Sequence, residues 1–412
     1  MAKKISFLLG AGFSCPAGYP TASLLSEKIE NRIKSFRACA EQSTQRKLWA
    51  FYKFIKSMSC DVSFDYEWFY DSFTFIADAL AKYSNCVRFL WSKGDESKLP
   101  ETTPLMRVLE EGGVLLEDMC KIKELYSEVT RRFLEPDENS VANASCYRDF
   151  VNFLALLKTG GCEIEIHTLN HDLLLEGLLS DGRLEYADGY AYPKTNDVIV
   201  AYEDSECSSE KFFARVFNSN NFNSQINLYK LHGSVDSYWV SDVVPVDTMS
   251  GFENSVKVDS KYSKEPVFFK GHLAEGHLRF VGDCGIVSEG HSDFLTGTTS
   301  KLRHYNERHY KVMLRKFEEN IRNTDLIIVI GYGWRDSVIN GILKQKKHSC
   351  QVVSVCGDDA NAYVEGILSC EDLNETNCDD MCDLPILKFS RLEDVIYRDI
   401  ASILCDGLRQ MR

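Results

Sequence analysis

Residues 5–9, "ISFLL", form an uncharged, mostly apolar run that stops at Gly10-Ala11-Gly12, so the pattern predicts a short buried strand ending in a glycine turn. From Thr21 onward Leu25, Ile29, Ile33 and Phe36 recur at intervals of three and four, predicting a helix that Thr21 caps. "CEIEIHTL" (162–169) alternates and then turns apolar, as a strand entering a sheet does, and "NHDLLLEGLL" follows as a helix start. "INLYKLHGSVDSYW" (226–239) reads as a strand ending at a His-Gly turn. A helix from about Lys301 to Arg322 carries a stripe of Leu302, Tyr305, Val312 and Phe317 and leads into "DLIIVIGYGW", the strongest buried strand of the chain. "QVVSVCG" (351–357) and "PILKF" (385–389) predict two more strands, and 391–405 a terminal helix.

Strands that alternate with helices imply an α/β fold, a Rossmann-like doubly wound sheet with mostly parallel strands. Two stretches interrupt the alternation. Residues 37–160 hold aromatics at mostly helical spacing, among them Trp49, Phe51, Phe54, Phe69 and Phe73, and predict a helical insertion whose aromatic stripe is packing. Residues 186–300 are polar and irregular and predict a loop-rich insertion.

Composition narrows the function classes. The 412 residues are 44% hydrophobic, enough for a substantial core, and carry a net charge of −14, a poor match for a phosphate backbone. The cationic residues Lys301, Arg303, Arg308, Lys311, Arg315 and Lys316 read as a solvated helix face, so strong direct nucleic-acid binding is not expected. No stretch of about 18 apolar residues predicts a membrane span. Lys3 and Lys4 followed by an apolar patch resemble a leader, but the run is too short for one and glycines interrupt it. The fifteen cysteines include no CxxC pair, the shortest spacing near the end being Cys378 to Cys382. That pattern predicts reduced thiols, a cytoplasmic location and no zinc ribbon or other metal site.

Four stretches carry candidate chemistry. "GAGFSCPAGYP" (10–20) follows the first strand; it is either a tight turn or a loop whose backbone approaches a diphosphate, and Cys15 stands where the dinucleotide fingerprint requires glycine. "TLNHD" (168–172) ends a strand, where Asn170 is able to address ribose hydroxyls and Asp172 to cap the next helix. "KLHGS" (230–234) places His232 at a turn, accessible and suited to general-base work. "VIGYGWRDSVIN" (329–340) ends a second strand in Gly331 and Gly333, followed by Asp336 and a helix.

In this order the four stretches resemble the sirtuin-like NAD-binding superfamily, and most closely its bacterial branch of NAD-hydrolysing enzymes from anti-phage defence systems. The resemblance spans residues 5–345, with 37–160 and 186–225 unmatched. Sirtuin deacylases carry a zinc ribbon of paired cysteines, absent from this sequence. Where they read Phe-Arg this chain has Thr21-Ala22, and their Thr-Gln-Asn-Ile-Asp is here Thr168-Leu169-Asn170-His171-Asp172. What the resemblance implies is therefore one NAD-binding domain over 1–412 and hydrolysis of NAD+, taken as substrate, rather than deacylation. It implies that Gly10, Ala11, Gly12, Phe13, Ser14 and Thr168 cradle the diphosphate side and that Gly331, Gly333 and Asp336 hold the adenosine half. Asn170 would orient ribose and water, His232 act as base, and Asp172 support the site. It implies assembly into a homo-oligomer and regulation by a separate HerA-like ATPase, with a short Argonaute as the alternative partner. A non-catalytic NAD or ADP-ribose sensor and a deacylase are the competing functions; Cys15 argues against a dehydrogenase.

Overall fold

The computed structural model describes residues 3–58, 63–73, 76, 118–134, 147–191, 200–203, 211–213, 215–240, 267–270, 278–281, 287–290, 292–294, 308–347, 349–356 and 387–389. The chain divides into two compact units. One comprises residues 1–19, 136–294 and 307–412; the other comprises 20–135 and 295–306.

The first unit is built on six parallel strands: β1 (Lys4–Leu9), β2 (Glu163–Thr168), β3 (Ile226–Lys230), β4 (Leu326–Ile330), β5 (Gln351–Val355) and β6 (Leu387–Phe389). Their order across the sheet is 3-2-1-4-5-6, every pairing parallel. That is the α/β doubly wound arrangement the strand pattern predicts. The strands read as continuous apolar runs because both faces are covered. Ile5, Phe7 and Leu9 join Ile328, Ile330, Ile164 and Ile166 in one core, against Phe150 and Phe153 of helix 148–159 and Leu175 and Leu178 of helix 174–181. Phe7 meets the Phe150 ring edge-on with centroids 5.9 Å apart. On the opposite face Leu8, Ile327, Val329 and Val352 pack with Met313, Phe317 and Ile321 of helix 308–323.

Helices among the described residues include α1 (Ala11–Ser14), α2 (Ala22–Ser35), α3 (Thr44–Met58), α4 (Asp118–Leu134), α5 (Arg148–Thr159), α6 (Leu174–Asp181), α7 (Arg308–Asn323) and α8 (Ser337–Leu343). The buried stripe of α7 is Tyr310, Met313, Phe317 and Ile321, with Val312 only half-buried; residues 301–307 lie outside the described residues. The solvated side of α7 pairs Arg315 with Glu319 and Arg322 with Glu318, so its cations meet neighbouring carboxylates. The predicted helix at 391–405 also lies outside the described residues.

Two expectations change. The strand predicted over 226–239 breaks at Leu231–His232, and Gly233–Val240 pairs instead in an antiparallel sheet with 267–270 and 292–294. The region 186–300, expected to be loops, contributes short strands to two antiparallel sheets of five and four strands. Strands of two to four residues carry too little alternation to stand out in a polar sequence.

The second unit is helical. Thr21 caps α2, its hydroxyl accepting from Leu24 N at 3.3 Å, and Leu25, Ile29 and Ile33 are buried as the spacing predicts. Phe51 of α3 stacks on Phe73 with centroids 4.6 Å apart, and Tyr126 of α4 lies 5.2 Å from Phe69. These aromatics fill a core, while α5, which the pattern groups with them, packs on the sheet of the first unit.

Under α7 the sheet buries a polar cluster. Lys4 Nζ donates to Asn320 Oδ1 at 2.9 Å and lies 3.4 Å from Glu165. Asn320 Nδ2 lies 3.2 Å from His167 Nε2, while His167 Nδ1 lies 3.1 Å from Phe7 O. That pair of contacts fits a neutral ring protonated at Nδ1. Burial holds the His167 pKa down at about 3, against 6.5 for an ordinary histidine. The unfolded chain binds this proton between those two values and the folded chain does not, so His167 makes stability fall as pH drops through that window. His167→Phe, which preserves stacking on Tyr229, removes the effect. From pH 6.5 to 4.5 the wild type should lose about 2.5 kcal/mol more than the variant in urea unfolding; equal losses would exclude a neutral buried ring.

Candidate functional site

The strand order reverses between β1 and β4, and the loops leaving these strands meet there. Gly10 N donates to Ile330 O and Gly12 N to Gly331 O, both at 2.9 Å, and Phe13 N turns back to Gly10 O. A Cβ on Gly10 would stand 2.6 Å from Gly331 O, and one on Gly12 would stand 2.7 Å from Gly331 Cα. Gly331 itself has φ +64°, and its Cβ would meet Phe13 N at 2.2 Å. These three glycines let two backbones cross. The N–H groups of Gly10, Gly12 and Phe13, three of the donors that the sequence reading offers to a diphosphate, bond within the protein. Ala11 and Gly12 remain exposed, and so does Gly333, whose Cβ position is open space.

The loop after β2 lies against the same turn. Asn170 is buried; its amide donates to Gly10 O and to Ser14 Oγ, each at 2.9 Å, and its own N–H is taken by Thr168 Oγ1. Both hydrogen bonds of the Asn170 Nδ2 group hold the glycine turn. Asp172 accepts from Leu174 N at 3.1 Å at the start of α6 and from the Ser14 hydroxyl. Burial pushes its carboxyl pKa up, opposed chiefly by the Lys230 charge. Lys230 itself, which sequence reasoning did not single out, is buried, donates to Asp172 O and lies 3.2 Å from Glu176. Burial, with Asp172 nearby, also pushes the Cys15 thiol up, so it stays protonated.

Thr168 and Lys230 are paired in register on β2 and β3, which places Asn170 and His232 two residues beyond matched positions on adjacent strands. His232 is not accessible, as its turn position suggested, but only 5% exposed. Its Nε2 lies 3.5 Å from Asp336 Oδ2, and its ring centroid 6.2 Å from that of His171. Asp336 caps α8, its Oδ1 accepting from Val338 N and Ile339 N.

Between the glycine turn of β4 and Asp336 sits Trp334, in the left-handed region at φ +56° and 4% exposed. Its Nε1 has no hydrogen-bond partner among the described residues. A strained aromatic backbone with a buried indole N–H left over is a feature of functional loops. The W in "GYGW" gave no sign of it, because a left-handed φ cannot be read from an aromatic residue.

Cys15, Cys39, Cys162, Cys350 and Cys356 form no disulfide. Among the described residues no group of three or more His, Cys, Asp or Glu is placed to hold a metal ion, and no helix is long and apolar enough to cross a membrane.

No protein-family model matches the sequence, and no curated protein matches it. Among solved structures the chain is similar to one described as "Structural Basis for the Mechanism and Regulation of Sir2 Enzymes", at 11% identity and a TM-score of 0.34, over 100% of this chain and 94% of that one. "Structure of Sir2Tm bound to a propionylated peptide" aligns at 14% identity and a TM-score of 0.30, over 98% and 94%. "The Structural basis for Sirtuin Substrate affinity" aligns at 14% and 0.31, over 97% and 93%. At these TM-scores the likeness assigns nothing to individual residues.

Proposed function

We propose that the chain hydrolyses NAD+ to ADP-ribose and nicotinamide, binding the dinucleotide beyond the carboxyl ends of β1 and β4. The observation that carries this reading is the 3-2-1-4-5-6 strand order with both glycine turns meeting at its switch point, where open parallel sheets bind dinucleotides. The exposed backbone at Ala11–Gly12 and the open space at Gly333 support a ligand lying across those turns.

The chemistry asks little of the protein. Water attacks the anomeric carbon, the glycosidic electron pair leaves with the pyridinium nitrogen as neutral nicotinamide, and no acid is required. The transition state is oxocarbenium-like, so the site must orient the water and accept its proton. His232 takes that proton. Asn170 acts through the glycine turn it holds, and Asp172 through Ser14 and α6.

The burial of His232 favours a second reading, in which the same cleft retains NAD+ or ADP-ribose without turnover. A chromatographic product assay on the purified chain, with and without an acetyl-lysine peptide, separates the two and tests for deacylation. Nicotinamide and ADP-ribose should appear in equal amounts without peptide. His232→Ala should lower kcat by about 10²–10⁴-fold. Binding without product would establish the sensor, and neither binding nor product would overturn both readings.

The biological extension is that NAD+ depletion makes the chain the effector of a cytoplasmic anti-phage defence system, active as a homo-oligomer and regulated by a HerA-like ATPase or, alternatively, a short Argonaute. The motif resemblance supports it. Light scattering of the chain alone and after mixing with each partner is the direct check.

A further inference from the structure

We propose that Asp336 is the positioning residue for His232, fixing which imidazole nitrogen is basic; this rests on the reading of His232 as the base. The carboxylate is itself held rigidly. Its Oδ1 accepts from Val338 N at 3.0 Å and Ile339 N at 3.2 Å, which leaves Oδ2 turned to His232 Nε2 at 3.5 Å. The segment that carries it is also tied down: Tyr332 Oη accepts from Asp336 N at 3.3 Å and lies 2.9 Å from Asn340 Oδ1, and Asn340 Nδ2 donates to Trp334 O at 2.9 Å.

A helix cap alone needs neither a carboxylate nor a second oxygen aimed at a ring, since serine and asparagine cap equally well. A carboxylate charge is favoured electrostatically at the start of α8. Facing Nε2 at 3.5 Å, Asp336 favours the tautomer that carries its hydrogen there and the lone pair on Nδ1. When Nδ1 takes the proton of the attacking water, the imidazolium forms beside a fixed anion. Asp336 keeps its charge throughout and exchanges no proton.

Asp336→Asn tests this, because it retains the capping oxygen but replaces the acceptor facing Nε2 with a donor or a neutral oxygen. The expected result is a fall in kcat of about 10²–10⁴-fold with KM and melting temperature close to wild type. Asp336→Ser, which keeps a cap without the reach, should show the same fall and substitutes if the asparagine variant fails to fold. The second readout does not depend on turnover. Ring ¹⁵N shifts of histidine-labelled protein, with His232→Gln to assign the signal, should show Nε2 protonated in the wild type and a changed tautomer balance in Asp336→Asn. Wild-type kcat in a folded Asp336→Asn enzyme, or Nδ1 protonation of His232 in the wild type, would overturn the proposal. If the wild type turns over no NAD+, the hydrolase reading fails and the ring shifts alone decide the pairing.

Discussion

Gly331→Ala should be the most destabilising single methyl that can be added to the sheet's switch point. Its added Cβ would lie 2.2 Å from Phe13 N, 2.4 Å from Gly12 C and 2.6 Å from Gly12 Cα. These are backbone atoms, so no rotamer change relieves the contact, and the loops must part. Parting them breaks the 2.9 Å bond from Gly12 N to Gly331 O. The φ of +64° adds a left-handed penalty of its own. Together these should cost roughly 3–5 kcal/mol, a large share of a typical domain's stability of about 5–15 kcal/mol. Gly333→Ala is the internal control, since nothing lies within 4 Å of its Cβ position. It should change the unfolding free energy by no more than about 0.5 kcal/mol while weakening any ligand that uses the open space. A Gly331→Ala protein as stable as Gly333→Ala would mean the two turns do not cross as described.

That contrast shows where the sequence is readable. "LIIVI", "ISFLL" and "QVVSV" announce buried parallel strands because both faces of each are covered, and no polar alternation competes with the signal. The candidate stretches 10–20, 168–172, 230–234 and 329–340 stand out in the sequence too, because each combines a strand end with turn residues. The role of each residue there does not. Gly10 and Gly12 look like ligand glycines, yet they are glycines because Gly331, more than 300 positions away, packs on them. His232 reads as an exposed turn residue because Asp336, which covers it, sits across the fold on another loop. Glu165 and His167 read as the polar side of a half-exposed strand. The amphipathic helix α7 lies over them and brings Asn320 as their partner, so they are buried.

Lys230 is the other residue hidden by distance, and replacing it should have the second large effect. Its side chain is 7% exposed, and its ammonium group lies 3.2 Å from Glu176 and donates to the Asp172 carbonyl. Its charge is also the main influence opposing the upward push of burial on the Asp172 carboxyl. Lys230→Met keeps the length and apolar stem of the side chain but leaves two carboxylates enclosed without a cation. Breaking a buried pair from one side typically costs about 3–5 kcal/mol, and that is the expected loss at pH 7. The sign of its pH dependence follows. Without Lys230 the Asp172 carboxyl, already pushed up by burial, takes up a proton still more readily when folded than when unfolded, so acidification stabilises the variant and the deficit should narrow on going from pH 7 towards pH 5. Lys230→Met/Glu176→Met removes one of the two stranded carboxylates as well and should recover part of the loss, since apolar replacement of a whole buried pair is often neutral. Urea unfolding of the two variants at both pH values decides it: a pH-independent deficit, or a double variant no better than the single, would show that Lys230 contributes packing rather than charge.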